Sequence, residues 1–163
     1  DVQDGPDVLP DPIRLIRELH EEFGIPLINV TMGNPYKNPH VNRPYDRGNY
    51  VPDEHPLVGE GRMMASVRGI QTALPQLPVL GSAFSYLRQF APCLAAGMVG
   101  GGSCALAGFG RMAFAYPDFV RDLRHHGGLD REKVCVTCGG CAQLLRAGRP
   151  AGCIVRDREV YSL

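Results

Sequence analysis

The sequence lacks an excess of charge of either sign. Its 163 residues include 17 lysines and arginines and 17 aspartates and glutamates, so the formal net charge is zero. Proteins that bind nucleic acid by neutralising phosphates normally carry a basic excess, so we expect no nucleic-acid partner. Apolar residues make up 44% of the chain and charged residues 21%, which is typical of an ordinary globular domain and excludes a mainly disordered chain.

The chain also lacks segments that would place it in or across a membrane. No basic stretch followed by an apolar one opens the sequence, so we expect no secretory signal and a cytoplasmic location. The longest charge-free stretch, residues 89–110, contains Pro92 and six glycines. It therefore predicts two short buried elements joined by a turn, and no membrane partner. Because the first residue is Asp1 and not methionine, we expect the chain to be a piece of a longer protein.

Apolar periodicity predicts helices that alternate with short strands. The predicted helices cover residues 11–23, 59–74, 85–99 with a break at Pro92, and 118–125. The predicted buried strands cover residues 27–32, 78–80 and 104–109. This alternation indicates an α/β fold with a parallel sheet covered on both faces, and its order fits one end of a (β/α)8 barrel. Residues 33–56 have no apolar period and predict a long loop.

Four late cysteines carry the strongest chemical pattern. Two residues separate Cys135 from Cys138 and Cys138 from Cys141, and Cys153 follows after eleven more. This spacing is typical of a short loop that wraps thiolates around an iron–sulfur cluster. A zinc site or free thiols remain the alternatives.

Other residues near these cysteines fit the same interpretation. Gly139 and Gly140 would let the backbone approach a cluster closely. Basic side chains that could offset the negative charge of a cluster are Lys133, Arg146 and Arg149. The two remaining cysteines, Cys93 and Cys104, lie among apolar residues and are predicted to belong to the core.

Candidate ligand-binding residues follow the predicted strands. Gly81 and Ser82 follow the second strand, and Gly110 and Arg111 follow the third. Ligands bind at the carboxyl ends of parallel strands, where glycine N–H groups and an arginine fork suit a phosphate group. His40 lies in the long loop after the first strand, where it could donate a proton to a ligand. By themselves, the glycines also fit ordinary turns, and His40 fits a surface histidine.

Together these stretches resemble the C-terminal part of the Old Yellow Enzyme family of flavin-dependent oxidoreductases. The most similar branch includes 2,4-dienoyl-CoA reductase and trimethylamine dehydrogenase. The resemblance covers residues 27–44, 78–89, 106–122 and 133–157, and its most specific part is Gly-Phe-Gly-Arg-x-x-x-Ala-Tyr-Pro-Asp at 108–118 combined with the cysteines. It implies the C-terminal portion of a (β/α)8 TIM barrel, about three βα units within residues 1–128. A cysteine-rich iron–sulfur segment would follow over residues 129–163.

The resemblance also implies cofactors and an activity. FMN would bind at the carboxyl ends of the strands, with its phosphate on Gly81, Ser82, Gly110 and Arg111. A [4Fe-4S] cluster would be held by Cys135, Cys138, Cys141 and Cys153. His40 matches a histidine that assists protonation of the substrate. The implied reaction passes reducing equivalents from NAD(P)H to an activated C=C bond of a small-molecule substrate.

The chain departs from this family in two respects. Two residues separate Cys138 from Cys141, where the family usually has three, and the early barrel strands are missing. In the family those strands carry the flavin-ring contacts and a catalytic tyrosine, so this chain would lack a complete active site. We expect it to pair with the remaining barrel segment of the same enzyme, or with itself. The alternatives are a stand-alone iron–sulfur or zinc electron-transfer module without flavin, and a structural remnant with vestigial cysteines.

Overall fold

Helices and short strands alternate along the chain in the computed structural model, which describes residues 10–46 and 50–162. The first half contains α1 (Pro10–Phe23), β1 (Ile28–Val30), α2 (Pro39–Asn42), α3 (Pro56–Ala73) and β2 (Val79–Gly81). A 3-10 helix (Phe84–Phe90) precedes α4 (Ala91–Gly100), β3 (Leu106–Ala107), α5 (Gly110–Ala115), α6 (Phe119–His126) and α7 (Gly140–Arg146). The predicted α/β alternation is confirmed.

The three strands form one parallel sheet in the order β1-β2-β3. Ile28 pairs with Val79 in the first ladder, and Leu80 pairs with Leu106 in the second. The parallel sheet is therefore confirmed, although its strands are shorter than predicted, since β3 has only two residues. Neighbouring strands follow one another in sequence, and their carboxyl ends share one edge of the sheet.

Helices cover only one face of this sheet. Val30 and Val79 point to the covered face and are 7% and 0% exposed. Asn29, Leu80 and Leu106 form one row on the other face, where Asn29 is exposed and Leu106 is 49% exposed. The prediction of helices on both faces is therefore wrong for the described residues. We call the row Asn29, Leu80 and Leu106 the open face.

The main core lies between α3 and the covered face of the sheet. The side chains predicted to form one stripe of this helix are all at most 3% exposed, namely Met63, Val67, Ile70 and Leu74. They pack in one cluster with Val79 and Phe84. The apolar stripe predicted for α1 contributes less, because Ile16 is its buried residue while Phe23 is 73% exposed.

The charge-free stretch forms α4, a turn through Gly102 (φ 68°) and β3. The two elements and the turn are as predicted, but the prediction that β3 is buried is wrong, because Leu106 is 49% exposed. Pro92 lies in the first turn of α4, where a missing N–H costs no hydrogen bond. The break lies earlier, at Arg88 (φ 54°, ψ −121°), so the predicted interruption at Pro92 is wrong. Among the described residues, no helix is both long and apolar enough to cross a membrane.

The two cysteines outside the late set have different environments. Cys104 is 2% exposed and belongs to the main core, as predicted. Cys93 is exposed on α4, so its predicted core position is wrong. Apolar neighbours in sequence did not bury Cys93, because α4 turns this side chain away from the buried positions Ala91 and Ala95.

A second, smaller core joins the cysteine segment to α5. Met112 and Tyr116 pack there with Val134 and Cys135. Contacts therefore cross the boundary predicted at residue 128. In the same region the Tyr116 hydroxyl, just after α5, donates a hydrogen bond to Asp122 Oδ2 of α6 at 2.6 Å.

Candidate cofactor site

The four late cysteines surround one cavity. Cys135 and Cys138 lie in the loop before α7, Cys141 lies in the first turn of α7, and Cys153 lies in the segment after it. All of them line the same cavity, which we call the cysteine cavity, together with Arg111 of α5. Its other lining residues are Phe114, Val136, Gly139, Ile154, Val155 and Arg156. The structure thus brings the predicted metal ligands together beside one of the predicted phosphate-binding residues.

Backbone conformation and close packing shape the cysteine cavity. Thr137 and Gly139 both adopt left-handed conformations, with φ of 55° and 79°. A Cβ atom on Gly139 would meet nothing within 4 Å, so this glycine is required for its backbone angle and not for space. A Cβ atom on Gly140 would overlap the Ile154 side chain. Close packing at Gly140 therefore holds Ile154, and with it the adjacent Cys153, against α7.

Burial favours the protonated form of two of the cavity thiols, those of Cys135 and Cys141. It raises the pKa of Cys135, and the positive charge of Arg111 partly opposes this shift. Burial likewise raises the pKa of Cys141, again against the charge of Arg111. The backbone N–H of Thr137 donates to Cys135 Sγ at 3.4 Å, which favours the thiolate. A bound metal would release these protons, as thiolate ligation requires.

Three arginines act on one another near the cysteine cavity, and of these Arg111 lines it. Burial lowers the pKa of Arg43, and the charges of Arg111 and Arg146 lower it further, while Cys141 raises it. Arg146 also donates to the carbonyl of Pro35 at 2.9 Å, which ties α7 to the segment after β1. Arg111 Nη1 is buried and has no hydrogen-bond partner among the described residues. The charges of Arg111 and Arg43 both act on Cys141, which gives this side of the cavity a positive environment suited to an anionic cofactor.

Not every basic residue predicted for this role lies there. Lys133 Nζ lies 3.6 Å from Asp122 Oδ2 and 3.6 Å from Asp130 Oδ2, so its charge is directed to those carboxylates. Arg149 is exposed and does not line the cysteine cavity. The sequence did not identify Arg43 as a charged residue near the cysteines. The signal that could have pointed to it was its position in the polar stretch that follows β1.

Among the residues that the structure describes, no three His, Cys, Asp or Glu side chains are grouped to hold a single metal ion. A zinc ion with Zn–S bonds of about 2.3 Å would need its sulfurs less than ~4 Å apart. A cluster spreads its ligands over several metal atoms and needs a wider arrangement.

The predicted phosphate-binding residues lie together at the carboxyl edge of the sheet. Gly81 ends β2, and the hydroxyl of Ser82 donates to Asn29 Oδ1 at 2.7 Å. A Cβ atom on Gly108 would lie 2.7 Å from Leu80 Cδ2, so a larger residue would push these strand ends apart. Gly110 begins α5, immediately before Arg111. The sequence did not identify Asn29, whose side chain joins the ends of β1 and β2.

His40 lies on the one-turn helix α2, within the stretch predicted to be a loop. That prediction is wrong at residues 39–42, while residues 47–49 of the stretch lie outside the described residues. His40 Nδ1 lies 2.5 Å from the hydroxyl of Tyr50, and Nε2 lies 3.8 Å from Glu54 Oε1. Glu54 in turn accepts two hydrogen bonds from Arg62, at 2.9 and 2.5 Å. A phenol, an imidazole and an anchored carboxylate in contact can pass a proton between them.

Comparison of the chain with protein-family models, curated proteins and solved structures finds no match.

Proposed function

We propose that the chain holds an iron–sulfur cluster in the cysteine cavity and is part of an NAD(P)H-dependent flavin oxidoreductase. The observation that carries this proposal is the convergence of Cys135, Cys138, Cys141 and Cys153 on one cavity beside Arg111. The FMN, the NAD(P)H donor and the reduction of an activated C=C bond rest on the family resemblance.

The charges of the cysteine cavity support a cluster. A thiolate-ligated cluster is anionic, and Arg43 and Arg111 supply the opposite charge near Cys141. The N–H of Thr137 already donates to a ligand sulfur, a contact that tunes cluster potentials. When bound, the cluster would supply one-electron transfer, and the chain would supply ligation, charge balance and shielding from water.

The spacing of the cysteines along the sequence is typical of a cluster, and zinc remains the alternative. Four cysteines line the cavity, yet no three described metal-binding side chains are grouped for one ion. The shortened spacing between Cys138 and Cys141 is accommodated because Gly139 adopts a left-handed conformation and Cys141 begins the first turn of α7.

The carboxyl edge of the sheet supports a phosphate site for the flavin. Gly81, Ser82 and Gly110 lie at this edge, and Arg111 follows directly. The five N–H donors of an arginine can serve more than one anion, so Arg111 is suited to link the phosphate site with the cysteine cavity. The open face, with Leu80 and Leu106, fits the remaining barrel segment of the enzyme.

His40 is the proposed proton donor to the substrate. Its side chain is 18% exposed, and contacts with Tyr50 and Glu54 fix the orientation of its ring.

A second candidate is a stand-alone electron-transfer module without flavin. It is favoured because all four late cysteines line one cavity within this chain. The two candidates differ in whether the purified chain binds FMN.

Anaerobic reconstitution with iron and sulfide tests the proposal. We expect iron and acid-labile sulfide to bind together, with the broad visible absorption of a cluster. Cys138→Ser should lose most of the iron, whereas the matched control Cys93→Ser, on exposed α4, should keep it. Equal iron in both variants would contradict the ligand assignment. After incubation with FMN and removal of the unbound flavin by gel filtration, the chain should retain the two-banded flavin spectrum if the first candidate is right and lack it if the second is.

A further inference from the structure

The segment after Gly152 folds back on its own start. The backbone N–H of Asp157 donates to the carbonyl oxygen of Cys153 at 2.9 Å, and the N–H of Tyr161 donates to the carbonyl oxygen of Asp157 at 2.9 Å. These two successive turns return the chain, so that the Tyr161 ring lies against Gly152. We call residues 153–161 the strap.

Close packing seats the Tyr161 ring at the start of the strap. A Cβ atom on Gly152 would overlap this ring. Gly152 is buried, and its φ lies outside the left-handed region, so glycine is required here for space and not for its backbone angle. The two ends of the strap therefore meet only while residue 152 has no side chain.

Arg156 fastens the strap to the second core. Its Nη2 donates to the carbonyl oxygen of Val134 at 2.9 Å. Val134 is 1% exposed and directly precedes Cys135. Cys153, at the start of the strap, packs against the same core. The strap is therefore held beside Cys135 at two points.

The first half of the strap forms one wall of the cysteine cavity. Its residues in that wall are Cys153, Ile154, Val155 and Arg156. Ile154 also packs into the space left by Gly140, which directly precedes Cys141. The strap thus contacts the residue before each of two buried or half-buried thiols, and its apolar side chains keep water from that side of the cavity.

We infer that the strap is the movable cover of the cysteine cavity, which opens to admit a cofactor and closes to shield it from water. That the cofactor is built from iron and sulfide rests on the proposed function, whereas the closure of the strap over the thiols does not. Residues 156–160 are exposed, and the side-chain contacts that hold the strap are small: one hydrogen bond and the packing of two side chains against glycines. A segment held in this way opens locally while the rest of the chain stays folded.

Site-resolved thiol labelling of the full chain, purified without iron, tests the inference. N-ethylmaleimide is the reagent, and peptide mass spectrometry measures the rate at each cysteine. We expect Cys135 to react about tenfold faster in Tyr161→Ala than in the wild type, because the strap opens more often without the ring. Arg156→Gln should raise the same rate several-fold, through the loss of its hydrogen bond to Val134. Arg158→Gln removes the same charge at an exposed position of the strap and should react like the wild type.

Two other cysteines separate local opening from unfolding. Cys93 is exposed on α4 and should react at one rate in every variant. Cys104 is 2% exposed in the main core and should stay protected as long as the chain is folded. Arg156→Gln removes one hydrogen bond at the surface, so it is the deciding variant if Tyr161→Ala unfolds the chain. In Arg156→Gln, an unchanged rate at Cys135, or a rate that rises together with that of Cys104, would overturn the inference.

Exposure of the anaerobically reconstituted chain to air tests the shielding. Arg156→Gln should lose its iron several-fold faster than the wild type and Arg158→Gln, because an open strap admits water and oxygen. Equal rates of iron loss would contradict the shielding role. If iron binds but labelling is the same in all variants, only this inference fails. If the wild type binds no iron but labelling differs as expected, the proposed function fails and the strap remains the cover of the cavity.

Discussion

Small differences in backbone freedom decide how each cysteine reaches the cavity. Thr137 and Gly139 turn the loop so that Cys135 and Cys138 face one space, and Gly140 lets Ile154 pack closely behind Cys153. The two adjacent glycines therefore have different roles: Gly139 permits a left-handed angle, and Gly140 leaves room for a side chain.

Substitution of Gly140 tests this difference. Gly140→Ala should lower the free energy of unfolding by about 1–3 kcal/mol, because its Cβ atom would overlap Ile154. In a chain that already carries Ile154→Ala, Gly140→Ala should lower the free energy of unfolding much less, because the overlapping atoms are gone. Urea unfolding measures both effects. Gly128→Ala, where a Cβ atom meets nothing within 4 Å, is the matched control. Additive losses in the double variant would show that the two residues do not interact.

Glu60 should make the stability of the metal-free chain depend on pH. Its folded-state pKa is raised by burial to about 7, above the usual value for glutamate, so the folded chain holds a proton that the unfolded chain has lost. The free energy of unfolding should therefore fall as pH rises from about 4.5 to 7, by on the order of 3 kcal/mol.

Glu60→Gln should remove this fall, and Glu18→Gln should leave it intact. Chemical denaturation at a series of pH values measures the difference. Parallel curves for the wild type and Glu60→Gln would mean that Glu60 is already ionised in the folded chain.

At the scale of elements, α5, α6 and the cysteine segment are joined by polar contacts to the Asp122 carboxylate as well as by the second core. Tyr116 at the end of α5 donates to Asp122 of α6, and Lys133 of the cysteine segment lies 3.6 Å from the same carboxylate oxygen. The hydrogen bond from Tyr116 is the largest cause that lowers the pKa of Asp122, while burial acts in the opposite direction. A hydrogen bond from Arg121 and the charges of Arg121 and Lys133 lower this pKa further. The ionised carboxylate is therefore favoured by folding.

This contact predicts sensitivity to acid. A depressed pKa in the folded state stabilises the chain above the ordinary aspartate pKa of about 3.9, and this contribution is lost as pH falls through the folded value. Asp122→Asn should lower the Tm at pH 7 and flatten its decline below about pH 4. Thermal melts monitored by circular dichroism measure both, with the exposed Asp53→Asn as control. An unchanged Tm at pH 7 would show that the contact adds nothing to stability.

For the molecule as a whole, the sheet has a buried face and an open face. The covered side holds the main core, while Leu106 on the open face remains 49% exposed and, among the described residues, each outer strand has one unpaired edge. Exposed apolar side chains beside unpaired strand edges favour association.

Self-association should therefore depend on the open face. We expect the purified chain to form oligomers, and Leu106→Lys should shift it toward the monomer because a charge resists burial there. Light scattering after size-exclusion chromatography measures the mass. Leu15→Lys, at an exposed position of α1 away from the sheet, should not change it. A compact wild-type monomer would contradict both the expected self-association and the interpretation of the chain as part of a barrel.

The sequence alone determined the features that depend on short-range pattern. The spacing of Met63, Val67, Ile70 and Leu74 was sufficient to predict the buried stripe of α3, because helical periodicity places such residues on one face. The parallel sheet followed from strands alternating with helices, and the cysteine spacing was sufficient to single out the ligand candidates.

Only the tertiary structure decided which distant groups become neighbours. Arg43 and Arg146 lie far apart in sequence yet act on each other beside Cys141, and Glu60 meets the charge of Arg111 from another helix. The exposure of Cys93 and of Leu106 likewise depended on which faces the packed elements cover. Periodicity specifies the faces of an element, but burial and electrostatic coupling arise from the residues that packing brings against those faces.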